Sequence, residues 1–251
     1  MQKVVVITGA SSGIGAALAR QLGARGDRIV LAARREAALQ AVARDAGTDT
    51  LVVPADVTQR ADVERLRDRA IARFGGVDVW VNNAGRGITK PVLELTDDEF
   101  DHMMAVNVKS ALYGMQAIAP HFLARRRGQI VNVSSMLSRV PFATYRSAYN
   151  AAKHALNALT ANARVDLHRQ CPDVHVTLVM PGLVTTEFGA HALHGSPPPP
   201  TLGAQNADEV ASAIVAAIDH PVAEIYTNPA HAAMAVRYVQ DVAAFEKEQM
   251  R

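Results

Sequence analysis

Two residues near the middle of the chain have the types and the spacing for proton transfer. Tyr149 and Lys153 are four positions apart in a segment that reads as a helix, so their side chains share one helix face. An unperturbed phenol titrates near pH ~10, and a neighbouring ammonium favours its ionised form. We therefore expect Lys153 to lower the pKa of Tyr149, so that the phenol can serve as a general acid or base. The alternative is a surface tyrosine packed on a lysine stem.

A serine precedes this pair at the end of a predicted strand. Ser135 lies fourteen positions before Tyr149 and just after the apolar run 129–133. That run has the pattern of a buried parallel strand, and ligands of open α/β sheets bind outside the carboxyl ends of the strands. Ser135 and Tyr149 are therefore expected to meet over one oxygen atom of a substrate.

A glycine-rich turn near the start of the chain has the features of a phosphate-binding loop. Residues 3–7 predict a buried strand, and TGASSGIG leads from it into a helical pattern at 16–25. The spacing of Gly9, Gly13 and Gly15 is G-x-x-x-G-x-G, which differs from the usual G-x-G-x-x-G. Glycine permits close approach to a pyrophosphate, and the helix N-terminus supplies amide donors. The alternative is an ordinary glycine-rich turn.

Strands and helices alternate along the rest of the chain, which predicts an α/β fold. The expected fold is a Rossmann-like doubly wound parallel sheet of about seven strands, with helices on both faces, in a single domain over 1–251. The later strands are predicted at 28–33, 50–54, 77–81, 129–133, 174–179 and 224–227. Helices are predicted at 37–45, 59–74, about 96–126, around Tyr149 and at 207–219.

The long helix predicted from residue 96 to about residue 126 contains a residue that suits helices poorly. It begins with a capping box, in which Thr96 is the cap and Glu99 follows three residues later. Asn107 lies inside it, although asparagine competes for backbone groups in a helix interior. Pro120 is expected to bend it.

Composition excludes several classes of function. The chain has 251 residues, is 49% hydrophobic and carries a formal net charge of +2, so neither nucleic acid nor an anionic membrane is favoured as a partner. Cys171 is the only cysteine, which precludes an intramolecular disulfide. The nine histidines lack metal-ligand spacing, so no metal site is expected. No signal peptide or apolar segment of about 18 residues is evident, and a cytoplasmic protein is expected.

Two segments near the C-terminus each allow two interpretations. Residues 183–204 lack a clear period and include the prolines 197–200, which favour an extended conformation. This segment is interpreted as a loop or lid near the site, or else as a plain surface connection. Residues 229–251 are amphipathic and are expected to pack on the body or on a second subunit.

Four separated segments together resemble the short-chain dehydrogenase/reductase family. They are TGASSGIG at 8–15, NNAG at 82–85, Ser135 with YNAAK at 149–153, and PGLVTT at 181–186. Their order and spacing are highly specific, and the resemblance spans roughly residues 3–228. The distance from Ser135 to Tyr149 is one residue longer than is common in the family, with Ser134 as the fallback.

The resemblance implies a catalytic tetrad of Asn107, Ser135, Tyr149 and Lys153. Ser135 would hold the substrate oxygen and Tyr149 would transfer its proton. Lys153 would lower the pKa of the tyrosine and hold the nicotinamide ribose, and Asn107 would hold a water for proton resupply. The residues expected to bind the cofactor are Gly9, Ser11, Ser12, Gly13, Ile14, Gly15, Arg34, Arg35, Asp56, Val57, Asn83, Ala84, Gly85, Tyr149, Lys153, Pro181, Gly182, Val184 and Thr186.

The end of the second predicted strand indicates which nicotinamide cofactor is used. An acidic residue at this place binds the ribose 2′-OH in NAD-dependent sites, but here Ala33 is followed by Arg34 and Arg35. Arginine presents a fork of donors that suits a phosphate. We therefore predict a preference for NADP(H) over NAD(H), unless these arginines are simply solvated charges at a helix start.

The predicted function is an NADP(H)-dependent oxidoreductase that transfers a hydride between nicotinamide and a carbonyl or secondary alcohol. The alternatives are a non-catalytic nicotinamide-binding regulatory or scaffold protein and, less favoured, a sugar-nucleotide epimerase or dehydratase, which needs a larger C-terminal domain. By the family resemblance, the chain is expected to form a homodimer or homotetramer. A mostly apolar pocket, and hence a small hydrophobic substrate, is suggested by Leu93, Leu137, Phe142, Tyr145, Leu183, Phe188 and His191.

Overall fold

A computed structural model describes residues 2–47, 49–195 and 204–249. Its centre is a parallel sheet of seven strands, and a separate pair of two-residue strands lies near the C-terminus. The central strands are β1 (Val4–Thr8), β2 (Arg28–Ala33), β3 (Thr50–Pro54), β4 (Val79–Asn82), β5 (Gly128–Val133), β6 (Val174–Met180) and β9 (Glu224–Tyr226). The short pair is β7 (Val184–Thr185) and β8 (Gln205–Asn206).

The order of the strands in the sheet is β3-β2-β1-β4-β5-β6-β9, so the direction of winding reverses between β1 and β4. Ligands of open α/β sheets bind at such a reversal, outside the carboxyl ends of the strands. The glycine turn follows β1, and NNAG includes the end of β4. The sequence motifs therefore lie at the place where this topology forms a crevice, and the predicted fold class is confirmed.

Helices cover both faces of the sheet. Side chains of α1, α2 and α7 pack on one face, and those of α3, α5 and α6 pack on the other, around Trp80 and Phe122. The helices are α1 (Gly13–Ala24), α2 (Glu36–Ala46), α3 (Arg60–Phe74), α4 (Asp97–Met104), α5 (Ser110–Arg125), α6 (Ser147–Gln170), α7 (Ala207–Asp219), α8 (Ala230–Gln240) and α9 (Val242–Gln249). Within the described ranges, no helix is long and apolar enough to span a membrane.

The long helix predicted from residue 96 differs from expectation in its middle. The capping box is present, since Thr96 Oγ1 accepts from Glu99 N at 3.3 Å and Glu99 Oε2 accepts from Thr96 N at 2.9 Å. A π-helical turn over Ala105–Lys109 then separates α4 from α5. Asn107, the residue that suits a helix interior poorly, lies at the centre of this turn, and such turns are frequent at functional sites. Pro120 lies within α5 without ending it.

The C-terminal tail packs on the body only in part. Met234 and Phe245 join an apolar cluster with Met136 and Val140, as expected for an amphipathic tail. The expected apolar face also included Val236, Val239 and Val242, but these side chains are exposed. Two helices form the tail, and packing of this exposed part on a second subunit stays a prediction. The prolines 197–200 lie outside the described residues.

Candidate active site

Ser135 and Tyr149 are brought together at the carboxyl end of β5. Ser135 begins a 3₁₀ turn (Met136–Ser138) two residues after the strand, and its side chain acts on the Tyr149 phenol, whose pKa it lowers. Ser135 Oγ also accepts from Leu137 N at 3.1 Å, so the turn fixes the hydroxyl and leaves its hydrogen to donate. Both residues are buried. The alternative interpretation of Tyr149 as a surface residue is therefore wrong.

Lys153 occupies the next turn of α6, with Nζ at 5.7 Å from the centre of the Tyr149 ring. Its Nζ donates to Val133 O at 2.9 Å, and the residue is 3% exposed. Burial lowers the pKa of Lys153 to about 8. The ammonium is thus held by the last carbonyl of β5, on the face of α6 that carries Tyr149.

The pKa of Tyr149 is not lowered as the sequence suggested. Burial raises the pKa of the Tyr149 phenol to about 12, while the Ser135 hydrogen bond and the positive charge of Arg146 act in the opposite direction. The prediction considered the charge of Lys153 but not desolvation, which penalises the charged form of both groups. Lys153 donates to a backbone carbonyl, and the cation whose charge lowers the pKa of the phenol is Arg146.

Asn107 holds the backbone that follows NNAG. Its Nδ2 donates to Arg86 O at 2.9 Å and to Met103 O at 3.1 Å, and its Oδ1 accepts from Arg86 N at 3.1 Å. A Cβ added at Gly85 would lie 3.0 Å from Asn107 Oδ1 and 3.6 Å from Lys153 Nζ. Glycine at position 85 therefore lets the asparagine, the lysine and this backbone approach one another closely.

The glycine turn after β1 leaves no space for side chains. Gly9 and Gly13 have positive φ angles of 66° and 55°, which favour glycine. A Cβ at Gly15 would lie 2.5 Å from Gly9 O. Ser12 caps α1, but its side chain makes no hydrogen bond to the amides of the helix, and the first turn of that 12-residue helix carries no acidic residue. The helix amides and the turn thus form a cradle suited to a phosphate group.

Asn83 and Thr8 join this cradle to NNAG. Asn83 Nδ2 donates to Thr8 O at 3.0 Å and to Gly9 O at 3.2 Å, and Thr8 Oγ1 accepts from the backbone of Asn83 and Ala84. A Cβ at Gly9 would lie 2.8 Å from Ala84 Cα. The two segments, 75 residues apart in the chain, therefore behave as one rigid wall of the crevice.

The basic residues after β2 differ in their contacts. Arg35 Nη2 reaches across the glycine turn to Ser11 Oγ at 3.3 Å and to Ser12 Oγ at 3.4 Å. Arg34 is exposed, and its charge acts on His102 in α4. Of the two predicted arginines, Arg35 is thus the one that shares a site with the glycine turn.

The remaining residues predicted to bind the cofactor lie on turns or on short elements, and their contact with a cofactor stays a prediction. Asp56 accepts from Thr58 N and Thr58 Oγ1, so the turn that carries Asp56 and buried Val57 is ordered. The Thr186 methyl lies 3.4 Å from a Cβ placed on Gly13. Ile14, Pro181 and Val184 are placed by α1, by the end of β6 and by β7.

Residues 186–195 form a strap over the site, which we call the lid. The Phe188 ring meets the Tyr149 ring edge-on at 5.6 Å between centres. Leu193 exchanges two backbone hydrogen bonds with residues 87 and 89, at 2.9 and 2.8 Å. Arg86 Nε donates to His191 O at 3.1 Å, and His194 Nε2 lies 2.6 Å from Glu99 Oε1. The lid is thus bound to the NNAG side of the crevice and to α4.

The predicted pocket lining is correct only in part. Leu137 packs near Tyr149 with Ile88, Met103 and Leu193, and Phe188 contacts Tyr149 directly. Leu93 was wrongly included, since it is 97% exposed on a surface turn. The other four residues do not pack in this cluster. Phe142 lines a cavity of about 330 Å³ beside the tail, and Tyr145 and Leu183 are about half exposed. His191 contributes its carbonyl oxygen to the lid contact with Arg86.

Several residues at the site were missed by sequence reasoning. A Cβ at Gly182 would lie 2.1 Å from His231 of α8, so the tail touches the PG segment. Four further residues of the site come from separate parts of the chain, and no local spacing connects them: Arg86, Arg146, and the hydrogen-bonded pair Glu99 and His194. The one available signal was Glu99, which the capping box had already identified.

Comparison with known proteins agrees with this geometry. The family model described as short chain dehydrogenase matches residues 3–195. An uncharacterised oxidoreductase of Staphylococcus epidermidis is 36% identical over 220 residues, which cover 88% of this chain and 92% of that protein. A short-chain dehydrogenase/reductase from Burkholderia phymatum, solved in complex with NAD, superposes with a TM-score of 0.87 at 30% identity, covering 96% and 94% of the two chains. A short-chain dehydrogenase from Burkholderia cenocepacia, solved with NADP, gives a TM-score of 0.82 at 29% identity over the full length of both.

Proposed function

The chain belongs to the short-chain dehydrogenase family and is an NAD(P)-dependent oxidoreductase, and we propose that it uses NADP(H) to interconvert a carbonyl and a secondary alcohol. The observation that carries this proposal is the buried Tyr149 phenol, near the Ser135 hydroxyl and one helical turn from Lys153, at the carboxyl end of β5. Neither residue type is required there for packing, because an apolar side chain would be buried at lower cost.

The proposed proton transfer uses Tyr149 as the general acid. Ser135 donates its free hydroxyl hydrogen to the carbonyl oxygen, and Tyr149 then gives its proton to the same oxygen as it becomes an alcohol. In the oxidative direction Tyr149, as the phenolate, removes the proton from the alcohol. The positive charge of Arg146 stabilises that phenolate electrostatically.

The residues of the crevice fit a nicotinamide dinucleotide phosphate. When bound, the nicotinamide supplies or accepts the hydride. We propose that the glycine turn and the N-terminus of α1 hold the pyrophosphate, and that Arg35 with Ser11 holds the 2′-phosphate. Lys153 would bind the nicotinamide ribose. Asn107 would position the 85–86 backbone, and its expected role in holding a water stays a prediction.

The apolar cluster around Tyr149 supports a small hydrophobic substrate. The cluster has no charged member, and this favours an apolar carbonyl compound as the substrate. Its members beside Tyr149 include Ile88, Met103, Leu137 and Leu193. A homo-oligomer in the cytoplasm remains the expectation from the sequence. The rival role as a regulatory protein is less well supported, because such a protein has no use for a complete set of acid–base groups.

The test is the specificity constant for each cofactor with one carbonyl substrate. Charge-assisted hydrogen bonds contribute roughly 1.5–3 kcal/mol each, so we expect kcat/KM to favour NADPH by about one to two orders of magnitude. Arg35→Ala should reduce that preference, mainly by raising KM for NADPH. Arg34→Ala is the matched control and should have a smaller effect. A wild-type enzyme that uses NADH equally well or better would contradict the proposal.

A further inference from the structure

One buried side chain behind the site contacts residues on both sides of Ser135. Asn157 is four residues after Lys153 and eight after Tyr149, so it lies on the same face of α6. It is 7% exposed and is not adjacent in sequence to any predicted site residue. Asparagine at this depth requires hydrogen-bond partners, because an unpaired buried amide is costly.

The partners of Asn157 are the serines that flank Ser135. Ser134 Oγ donates to Asn157 Oδ1 at 2.7 Å, and Asn157 Nδ2 donates to Ser138 Oγ at 2.7 Å. The Ser138 hydroxyl donates in turn to the carbonyl oxygen of Ser135. Each group donates in one direction, so the chain of hydrogen bonds has a single consistent polarity running from Ser134 to Ser135.

These bonds join the turn that carries Ser135 to the helix that carries Tyr149 and Lys153. Ser134 and Ser138 are 4% and 2% exposed, so water does not compete for the groups. The backbone of this turn is also tied to the strand beside it, through Ser134 N to Val179 O and Met136 N to Pro181 O. Asn157 joins this turn to α6 on both sides of Ser135, in addition to the weaker bond from Ser134 Oγ to Lys153 O at 3.4 Å, and it thereby helps to set the distance between the two halves of the proton-transfer site.

We propose that Asn157 is a positioning residue that fixes the Ser135 hydroxyl against the Tyr149 phenol. The inference rests on the proposed function, since it concerns the same proton transfer. Its consequence follows from the effect of the Ser135 hydroxyl on Tyr149, which favours the phenolate. Loosening the turn weakens that effect, while Arg146 and Lys153, the charged groups near Tyr149, stay in place.

The test compares Asn157→Ala with the wild-type enzyme in the pH dependence of alcohol oxidation. A displacement of about an ångström is worth up to ~10²-fold, so kcat should fall by about ten- to a hundredfold. KM for NADP⁺ should stay within about twofold, because the cofactor cradle is untouched. The acidic limb of the kcat/KM profile, which reports the free enzyme, should move up by about half to one pH unit, because the phenolate has lost part of its stabilisation.

Two further variants keep the test decisive. Ser138→Ala cuts the same chain of hydrogen bonds with almost no change of volume, and it should shift the profile in the same direction even if Asn157→Ala does not fold. Thr160→Val is the matched control, since Thr160 is fully buried on α6 and bonds Asn132 instead. It should lower the melting temperature without shifting the profile.

The outcomes separate this inference from the proposed function. Wild-type protein that turns over no carbonyl or alcohol substrate would overturn both. Active wild-type enzyme, with Asn157→Ala or Ser138→Ala folded and an unshifted pH profile, would overturn the positioning role alone. A profile that shifts equally in Thr160→Val would also overturn it, because any loss of stability would then be sufficient.

Discussion

At the scale of single residues, the site is governed by competition between burial and charge. Tyr149 and Lys153 are both buried, and burial moves their pKa values in opposite directions, to about 12 and about 8. Each group is therefore more strongly biased toward its neutral form in the folded protein than it is as a free side chain in water. Spacing in the sequence identified the pair, but it could not give the burial that determines the pKa values.

The lowered pKa of Lys153 predicts a pH-dependent difference in stability between the wild-type protein and Lys153→Met. With a pKa of about 8 when folded and 10.5 otherwise, the folded protein binds fewer protons than the unfolded chain between these values. Wild-type stability should therefore rise relative to the variant as pH increases from 8 to 10.5, by on the order of 2–3 kcal/mol. The Lys153→Met variant also loses the hydrogen bond to Val133 O, which changes its free energy of unfolding by an amount that does not depend on pH.

Urea unfolding at several pH values measures this difference. Lys109→Met, at an exposed position on the π-turn, controls for the removal of one charge elsewhere. A stability difference between wild type and Lys153→Met that is flat, or that falls over this range, would show that burial does not govern Lys153.

At the scale of elements, local patterns predicted most of the secondary structure but not the contacts between segments. The strand and helix bounds agree within a few residues, because continuous apolar strands and capping residues are local signals. The π-turn around Asn107 was not predicted, because the helical pattern that begins at the capping box continues across it. The lid was also missed in detail, because its partners Arg86 and Glu99 are about 100 residues away.

The contact between His194 and Glu99 is expected to restrain the lid against opening. Glu99 has its pKa lowered to about 2 by the Thr96 backbone, by Lys90 and by His194, so it is ionised at neutral pH. His194→Ala removes the lid contact and leaves the capping box intact. Because partly exposed pairs are weak, we expect only a roughly two- to fivefold rise in KM for the carbonyl substrate. Hydrogen exchange of residues 187–195 should become faster.

His191→Ala provides the control for this variant. The His191 side chain is exposed and faces Glu187 within the lid, at 3.9 Å, so it does not tie the lid to α4. Exchange rates in the lid that are unchanged by His194→Ala, or equally increased by His191→Ala, would contradict the role of the Glu99 contact.

At the scale of the whole molecule, topology brings distant motifs to one crevice. The reversal of strand order between β1 and β4 places the glycine turn beside NNAG, and Ser135, Tyr149 and Lys153 meet at the end of β5. The sequence predicted this arrangement because alternating strands and helices leave few topologies. It could not predict the packing of the tail, where His231 touches Gly182, because tail contacts depend on side chains from several elements.

The central claim is that Tyr149 transfers the proton in a hydride-transfer reaction, and Tyr149→Phe tests it most directly. The measurement is the single-turnover rate of NADPH oxidation with a carbonyl substrate, together with the Kd for NADPH, in folded wild-type and variant enzyme. General acid catalysis typically contributes ~10²–10⁴-fold, so the rate should fall by at least about a hundredfold while Kd is unchanged. A variant that keeps more than about a tenth of the wild-type rate would contradict the assignment of Tyr149 as the acid.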